Sequence, residues 1–174
     1  MRRSHLEHII RASGQIAGDD EFIIIGSQAI LGQFPDAPDA LLRSMETDIY
    51  PRNEPAKAIA IDGAIGEGSQ FHATHGYYAQ GVGPETAILP RGWNERLIPI
   101  QNENTAGVTG LCLEVHDLTI AKLVAGREKD FAFARELRKH QMIRKAVLLE
   151  RLSETDLSEQ LAIVMRARIN SLFI

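Results

Sequence analysis

The sequence is poor in cysteine, in aromatic residues and in long apolar runs, and each shortage excludes a class of protein. The single cysteine of the 174 residues, Cys112, cannot form an internal disulfide, so a cytoplasmic location is expected. Only 6% of the residues are Phe, Trp or Tyr, which argues against a stacking platform for single-stranded nucleic acid and against a β-propeller. No run approaches the roughly 18 apolar residues of a membrane span, so no membrane association is expected.

An excess of positive charge is also missing. The formal net charge is −4, which argues against a sequence-specific DNA-binding domain but leaves room for a local basic site. Apolar residues make up 44% of the chain and charged residues 24%, as in ordinary globular domains. A chain of this length can build a hydrophobic core without disulfides or a structural metal.

The apolar pattern predicts an α/β (or α+β) fold in two parts. Residues 1–113 are predicted to form a small mixed β-sheet with helices, and residues 114–174 a helical C-terminal part. Capping boxes are predicted at Ser4 with Glu7 and at Ser153 with Asp156. The predicted strands are 22–25, 44–50, 77–79, 86–89, 96–100 and 111–113.

The second predicted strand carries two acids. Glu46 and Asp48 are two residues apart, so on a strand both side chains point to the same side of the sheet. Paired carboxylates suit Mg²⁺ carrying phosphate oxygens, whereas two buried acids without a cation are costly. The alternative is an exposed edge strand with two solvated acids.

A Gly26-Ser27 turn follows the first predicted strand and precedes a short helical segment. Glycine allows backbone amides to approach an anion, and a helix N-terminus adds a positive dipole. The alternative is a glycine required only by the geometry of the turn.

Cations gather near the junction of two predicted helices. Lys122, Arg127 and Lys129 lie between Asp117 and Asp130, which are able to orient them. The alternative is a set of salt bridges on helix surfaces.

The order of these three features resembles the nucleotidyltransferase superfamily. Its signature is a strand, a Gly-Gly or Gly-Ser turn, a helix and an acid-x-acid strand, here Gly26-Ser27 followed by Glu46-Thr47-Asp48. The run Asp117-Leu118…Lys122-Leu123-x-Ala125-x-Arg127-x-Lys129-Asp130 resembles a helical motif of the AbiEii-like branch and related bacterial branches.

The resemblance implies a role for each matching residue. Gly26 and Ser27 would hold the nucleotide phosphates, and Lys122 would contact phosphate. Glu46 and Asp48 would be the catalytic acids and the ligands of Mg²⁺. Arg127 would complete the nucleotide-binding set, with Asp130 as an orienting partner.

Two departures from the superfamily pattern bear on catalysis. Glu46 stands where the first aspartate is usual, and none of the later predicted strands contains an acid. Glu114, directly after an apolar strand, is the best candidate for a third metal ligand. These departures predict one metal ion at most and weak or absent activity of the isolated chain.

The expected function is Mg²⁺-dependent transfer of a nucleotide from a nucleoside triphosphate to a protein or RNA acceptor. The AbiEii-like resemblance implies a toxin–antitoxin or phage-defence role. The alternative is a catalytically degenerate member of the superfamily that binds a nucleotide or a protein partner in the same cleft.

Overall fold

The computed structural model describes residues 1–174 and confirms the α/β class, with five strands in one mixed sheet and eight α-helices. The strands are β1 (Glu21–Ile24), β2 (Glu46–Pro51), β3 (Tyr78–Gly81), β4 (Ile98–Ile100) and β5 (Thr109–Cys112). The helices are α1 (Arg3–Ala17), α2 (Ile30–Gln33), α3 (Ala58–Ile65), α4 (Gln70–His75), α5 (Val115–Ala125), α6 (Glu128–Lys139), α7 (Lys145–Ser153) and α8 (Glu159–Leu172).

The sheet has the strand order β3-β2-β1-β5-β4. The central strand β1 is antiparallel to β2 and parallel to β5, while β3 is parallel to β2 and β4 is antiparallel to β5. Strands covered on both faces are typically continuous apolar runs. This explains why Phe22, Ile23 and Ile24 are all buried.

The two faces of the sheet differ in what covers them. Helices α1 and α3 pack on one face, where a Cβ at Gly110 would lie 2.4 Å from Ile10 Cδ1. Thr47 and Ile49 of β2 are fully buried. Because side chains alternate along a strand, Glu46 and Asp48 point to the opposite face, towards α5 and α6.

Both predicted capping boxes are wrong. Helix α1 begins at Arg3, one residue before Ser4, and Glu7 instead accepts hydrogen bonds from Arg3, Asn102 and Asn104. Helix α7 continues to Ser153, and the cap of α8 is Ser158. In each case tertiary contacts or a longer preceding helix override the local pattern.

The predicted strand at 86–89 is also wrong. Residues Pro84–Thr86 form a 3₁₀ turn, and the segment after it has no partner in the sheet. Pro84 and Pro90 flank this segment and provide no N–H for a ladder. The segment borders the site described below.

The hydrophobic core continues across the predicted boundary at residue 113. Cys112, Leu113, Val115 and Leu118 are all buried in the same cluster. That residues 114–174 form a subdomain of their own stays a prediction. None of the helices has the length and apolar character needed to cross a membrane.

Asp117, the first residue of the helical motif, is a buried anchor. Its carboxylate is fully buried and accepts hydrogen bonds from Arg96 Nε at 2.8 Å and Nη2 at 3.0 Å. Arg151 Nε lies 3.2 Å from Asp117 Oδ1, an ion pair without hydrogen-bond geometry. These contacts join the turn before β4 to α5 and α7, so Asp117 holds the helical part against the sheet.

The substitution Asp117→Ala should lower the free energy of unfolding by roughly 3–5 kcal/mol, because it leaves two guanidinium groups without their buried partner. Urea unfolding measures this loss. Glu54→Ala, which removes an exposed ion pair with Lys57, is the control and should cost less than about 1 kcal/mol. Equal losses in the two variants would contradict the anchoring role.

Candidate functional site

Asp48 is an acid without a protein partner. Its side chain is half-buried, and its carboxylate accepts no hydrogen bond from the chain. Burial raises the pKa of Asp48, and the charge of Glu46 raises it further, against the opposing effects of Lys122, Lys129 and Arg127. The carboxylate is therefore short of positive charge, which a bound cation would supply.

Glu46 has two neighbours, from β3 and α6. The Tyr78 hydroxyl donates to Glu46 Oε2 at 3.3 Å, because Tyr78 lies opposite Glu46 in the parallel pairing of β2 and β3. Lys129 Nζ lies 3.9 Å from Glu46 Oε1. These contacts fix the orientation of Glu46 while its carboxylate stays partly exposed to the cleft.

The Gly26-Ser27 turn lies directly beneath Asp48. A Cβ on Gly26 would stand 2.1 Å from Asp48 Oδ2 and 2.8 Å from its Cγ. Glycine is needed here for this close approach, since its φ of −84° is open to any residue. Ser27 begins the 3₁₀ helix Ser27–Ala29. The structure brings the turn and the acid pair together; that the turn holds phosphates stays a prediction.

Lys122 lies between the acid pair and the helix junction. It is buried on α5, with Nζ 3.3 Å from Asp130 Oδ1 and 4.8 Å from the centre of the Phe133 ring. Burial lowers the pKa of Lys122, and the charge of Asp130 only partly opposes this effect. The Lys122 ammonium is thus held in place by Asp130, close enough to Asp48 to act on it electrostatically.

Asp130 forms ion pairs with both Lys122 and Arg127. Its fully buried carboxylate accepts hydrogen bonds from Arg127 Nε at 2.7 Å and Nη2 at 3.3 Å, in addition to that from Lys122. Burial alone would raise the pKa of Asp130, but the Arg127 hydrogen bonds and the Lys122 charge hold it below its usual range. The side chain of Arg127 stays 61% exposed, so part of its guanidinium faces the solvent while Asp130 holds the rest.

Two cavities border the acid pair. The larger, about 720 Å³, lies between the segment before β2 and helix α6, and its lining includes Ser27 and Glu46. The smaller, about 370 Å³, includes Gly26 and Asp48, with the segment 85–88 on its far side. Lys122 lines both cavities. The structure therefore brings six of the seven predicted site residues to one cleft.

Glu114, the seventh, does not join them. It caps α5, accepting from the His116 backbone N–H at 2.9 Å and contacting His116 Nδ1 at 2.8 Å. It lines neither cavity, and no group of three or more His, Cys, Asp or Glu side chains is arranged to hold a metal ion. The reason is strand order: β1 separates β2 from β5, after which Glu114 follows.

Tyr78 and Lys129 both contact Glu46, and neither residue is among those predicted from the sequence to form the site. Lys129 lies within the helical motif, so the spacing of that motif was a signal for it. Tyr78 could be found only from the register of β2 and β3, which nothing in the local sequence specifies. The same register places Gln80 opposite Asp48, so β3 adds no carboxylate to the pair.

Comparisons with known proteins give one match. Residues 4–167 match the model of a protein family described as nucleotidyltransferase of unknown function (DUF6036). The match includes the whole sheet, the Gly26-Ser27 turn, the acid pair and the helical motif. No curated protein and no solved structure matches the chain.

The substitution Asp48→Asn should raise the melting temperature at pH 7. The pKa of Asp48 is higher in the folded chain than in the unfolded one, so the ionised carboxylate destabilises the fold at pH values above the folded pKa. The gain should shrink as the pH falls from 7 towards 4, because protonation removes the charge that burial penalises. Thermal unfolding at both pH values measures this difference, and a lower melting temperature of the variant at pH 7 would contradict it.

Proposed function

The chain belongs to this family of nucleotidyltransferases, and we propose that it transfers a nucleotide from a nucleoside triphosphate to a hydroxyl group of a protein or RNA acceptor. The observation that carries the proposal is the unpaired Asp48 carboxylate lying over the Gly26-Ser27 turn. Two acids on one strand face, beside a turn with free amides and a buried lysine, are the parts that phosphoryl chemistry needs.

The donor set suits one Mg²⁺ ion. Glu46 and Asp48 offer carboxylate oxygens on one face of β2, and such ions bind through one or two carboxylates together with substrate phosphates and water. The ion would neutralise charge on the phosphate oxygens during transfer. Tyr78 would hold Glu46 in a single orientation for this role.

The chain's own residues would position the triphosphate. The backbone amides at Gly26 and Ser27 would face its oxygens, and the Lys122 ammonium would offset their charge from the other side of the cleft. Arg127, anchored by Asp130, would reach the phosphates with its exposed guanidinium. The acceptor oxygen would attack the α-phosphorus in line, forming one P–O bond as the bond to pyrophosphate breaks.

The biological setting is proposed from the helical motif. The run from Asp117 to Asp130 supports a place near the AbiEii-like branch, and with it a cytoplasmic toxin–antitoxin or phage-defence role. Within that run, Lys122 and Arg127 line the cleft and Asp130 is buried in contact with both, whereas Asp117 is the anchor described above.

The second candidate function is nucleotide or protein binding without catalysis. It is favoured by the missing third carboxylate, since Gln80 lies opposite Asp48 and Glu114 caps a helix. Two acids suffice to bind a metal–triphosphate complex, but two-metal chemistry needs more ligands.

Mg²⁺ with a non-hydrolysable triphosphate should raise the melting temperature of the native chain by about 5–10 °C at a ligand concentration 100 times Kd. The Glu46→Gln/Asp48→Asn variant should lose this shift, because it removes both carboxylates while keeping their shapes. The Asp20→Asn/Glu95→Gln variant alters two exposed acids outside the cleft and is the matched control. A shift retained by the first variant would remove Glu46 and Asp48 from the site.

Transferase activity is tested by incubating the native chain with each α-³²P-labelled triphosphate, Mg²⁺ and a cell extract. Label in protein or RNA that disappears with Asp48→Asn would support the enzyme. If the triphosphate stabilises the chain but no label is transferred, the binding function is supported instead.

A further inference from the structure

The charged side chains that line the larger cavity are mainly positive, although the net charge of the protein is −4. Five of the chain's 19 Lys and Arg residues line it, but only two of its 23 acids, Glu46 and Glu136. The cations are Arg43, Lys122, Lys129, Arg135 and Lys139. We propose that this cavity binds a single-stranded RNA segment as the acceptor, through its phosphates and not through base stacking, an inference that rests on the proposed transferase function.

Two of these cations form no ion pair within the protein. Lys122 pairs with Asp130, Lys129 lies near Glu46, and Lys139 pairs with Glu136. Arg43 and Arg135, in contrast, have no acid within 4.0 Å and are exposed. Unpaired arginines facing a cavity are the groups that bind phosphate with directed hydrogen bonds.

The triphosphate does not account for these arginines. Gly26 and Asp48 line the smaller cavity together with Lys122 and Arg127, which places the proposed phosphate site there. Arg43 and Arg135 line only the larger cavity. Their charge is therefore available to a second anion in the same cleft, beside the triphosphate.

The wall that α6 contributes to the cavity is longer than a single phosphate group. Lys129 and Lys139 lie ten residues apart on α6, which corresponds to about 15 Å along a helix. A nucleic acid strand carries one negative charge per nucleotide, so a wall of this length can face more than one phosphate. Arg135 and Lys139 are like charges at i,i+4, an arrangement that costs the isolated helix some stability and that a bound polyanion would relieve.

Binding of a fluorescently labelled 12-nucleotide single-stranded RNA, measured by anisotropy over a range of salt concentrations, tests the proposal. The Arg43→Gln/Arg135→Gln variant should bind more weakly, and the slope of log K against log salt should fall in magnitude by about 1.4, or about 0.7 per phosphate contact. The matched control, Lys145→Gln/Arg166→Gln, removes two exposed cations outside the cavity and should keep the native slope.

The outcomes separate this inference from the proposed function. A variant that loses RNA binding but keeps the triphosphate-induced shift in melting temperature supports the inference. RNA binding that is absent, or weakened equally in both variants, overturns it while the proposed function stands. Displacement of the RNA by polyglutamate at equal charge also overturns it, in favour of an acidic protein acceptor. If the triphosphate shift itself is missing in the native chain, the proposed function and the acceptor role fail together.

Discussion

The contact between Asp48 and Gly26 is the constraint on which the site depends. Antiparallel pairing of β1 and β2 brings the turn after one strand against the acids of the other. The carboxylate lies so close to the Gly26 Cα that no side chain fits between them. This contact puts backbone amides and carboxylates within one small volume, where both can act on the same ligand.

The acids of the molecule differ in how many cationic side chains neutralise them. Asp130 and Asp117 are fully buried, and each is engaged by two cationic side chains. Asp48 is half-buried and has none within ion-pair distance. Buried acids that are paired support the fold, whereas an acid held without a partner costs stability and is typical of a functional position. Asp48 therefore differs from the other two acids both in its lower burial and in its lack of a cationic partner.

The parts of the site that could be predicted from the sequence are those set by local geometry. Glu46 and Asp48 share a face because alternation along a strand is a property of the backbone. The Gly26-Ser27 turn could be predicted because the strand before it and the helical turn after it are adjacent in the sequence. Glu114 was expected beside them because it follows an apolar strand. Its position depends instead on the order of strands in the sheet. That order cannot be read from the fact that Glu114 lies two residues after the end of β5.

Other errors have the same physical origin. Segment 86–89 has the composition of a strand, but a strand also needs a neighbour with free hydrogen-bonding groups, and none lies beside it. Ser4 and Glu7 have the spacing of a cap, but Asn102 and Asn104, almost a hundred residues away, compete for the Glu7 carboxylate. Tyr78 reaches Glu46 only through the register of two strands. In each case the deciding partner is distant in the chain.

The position of Lys122 between the two cavities has a thermodynamic consequence. One ammonium group contributes to the potential in both spaces, so an anion that occupies one cavity reduces the attraction that remains for an anion in the other. Binding of an anion in both cavities would therefore be linked, and the coupling free energy would be the same whichever ligand arrived first. The charge of a single buried side chain would thus couple anion binding in the two cavities without any movement of the backbone.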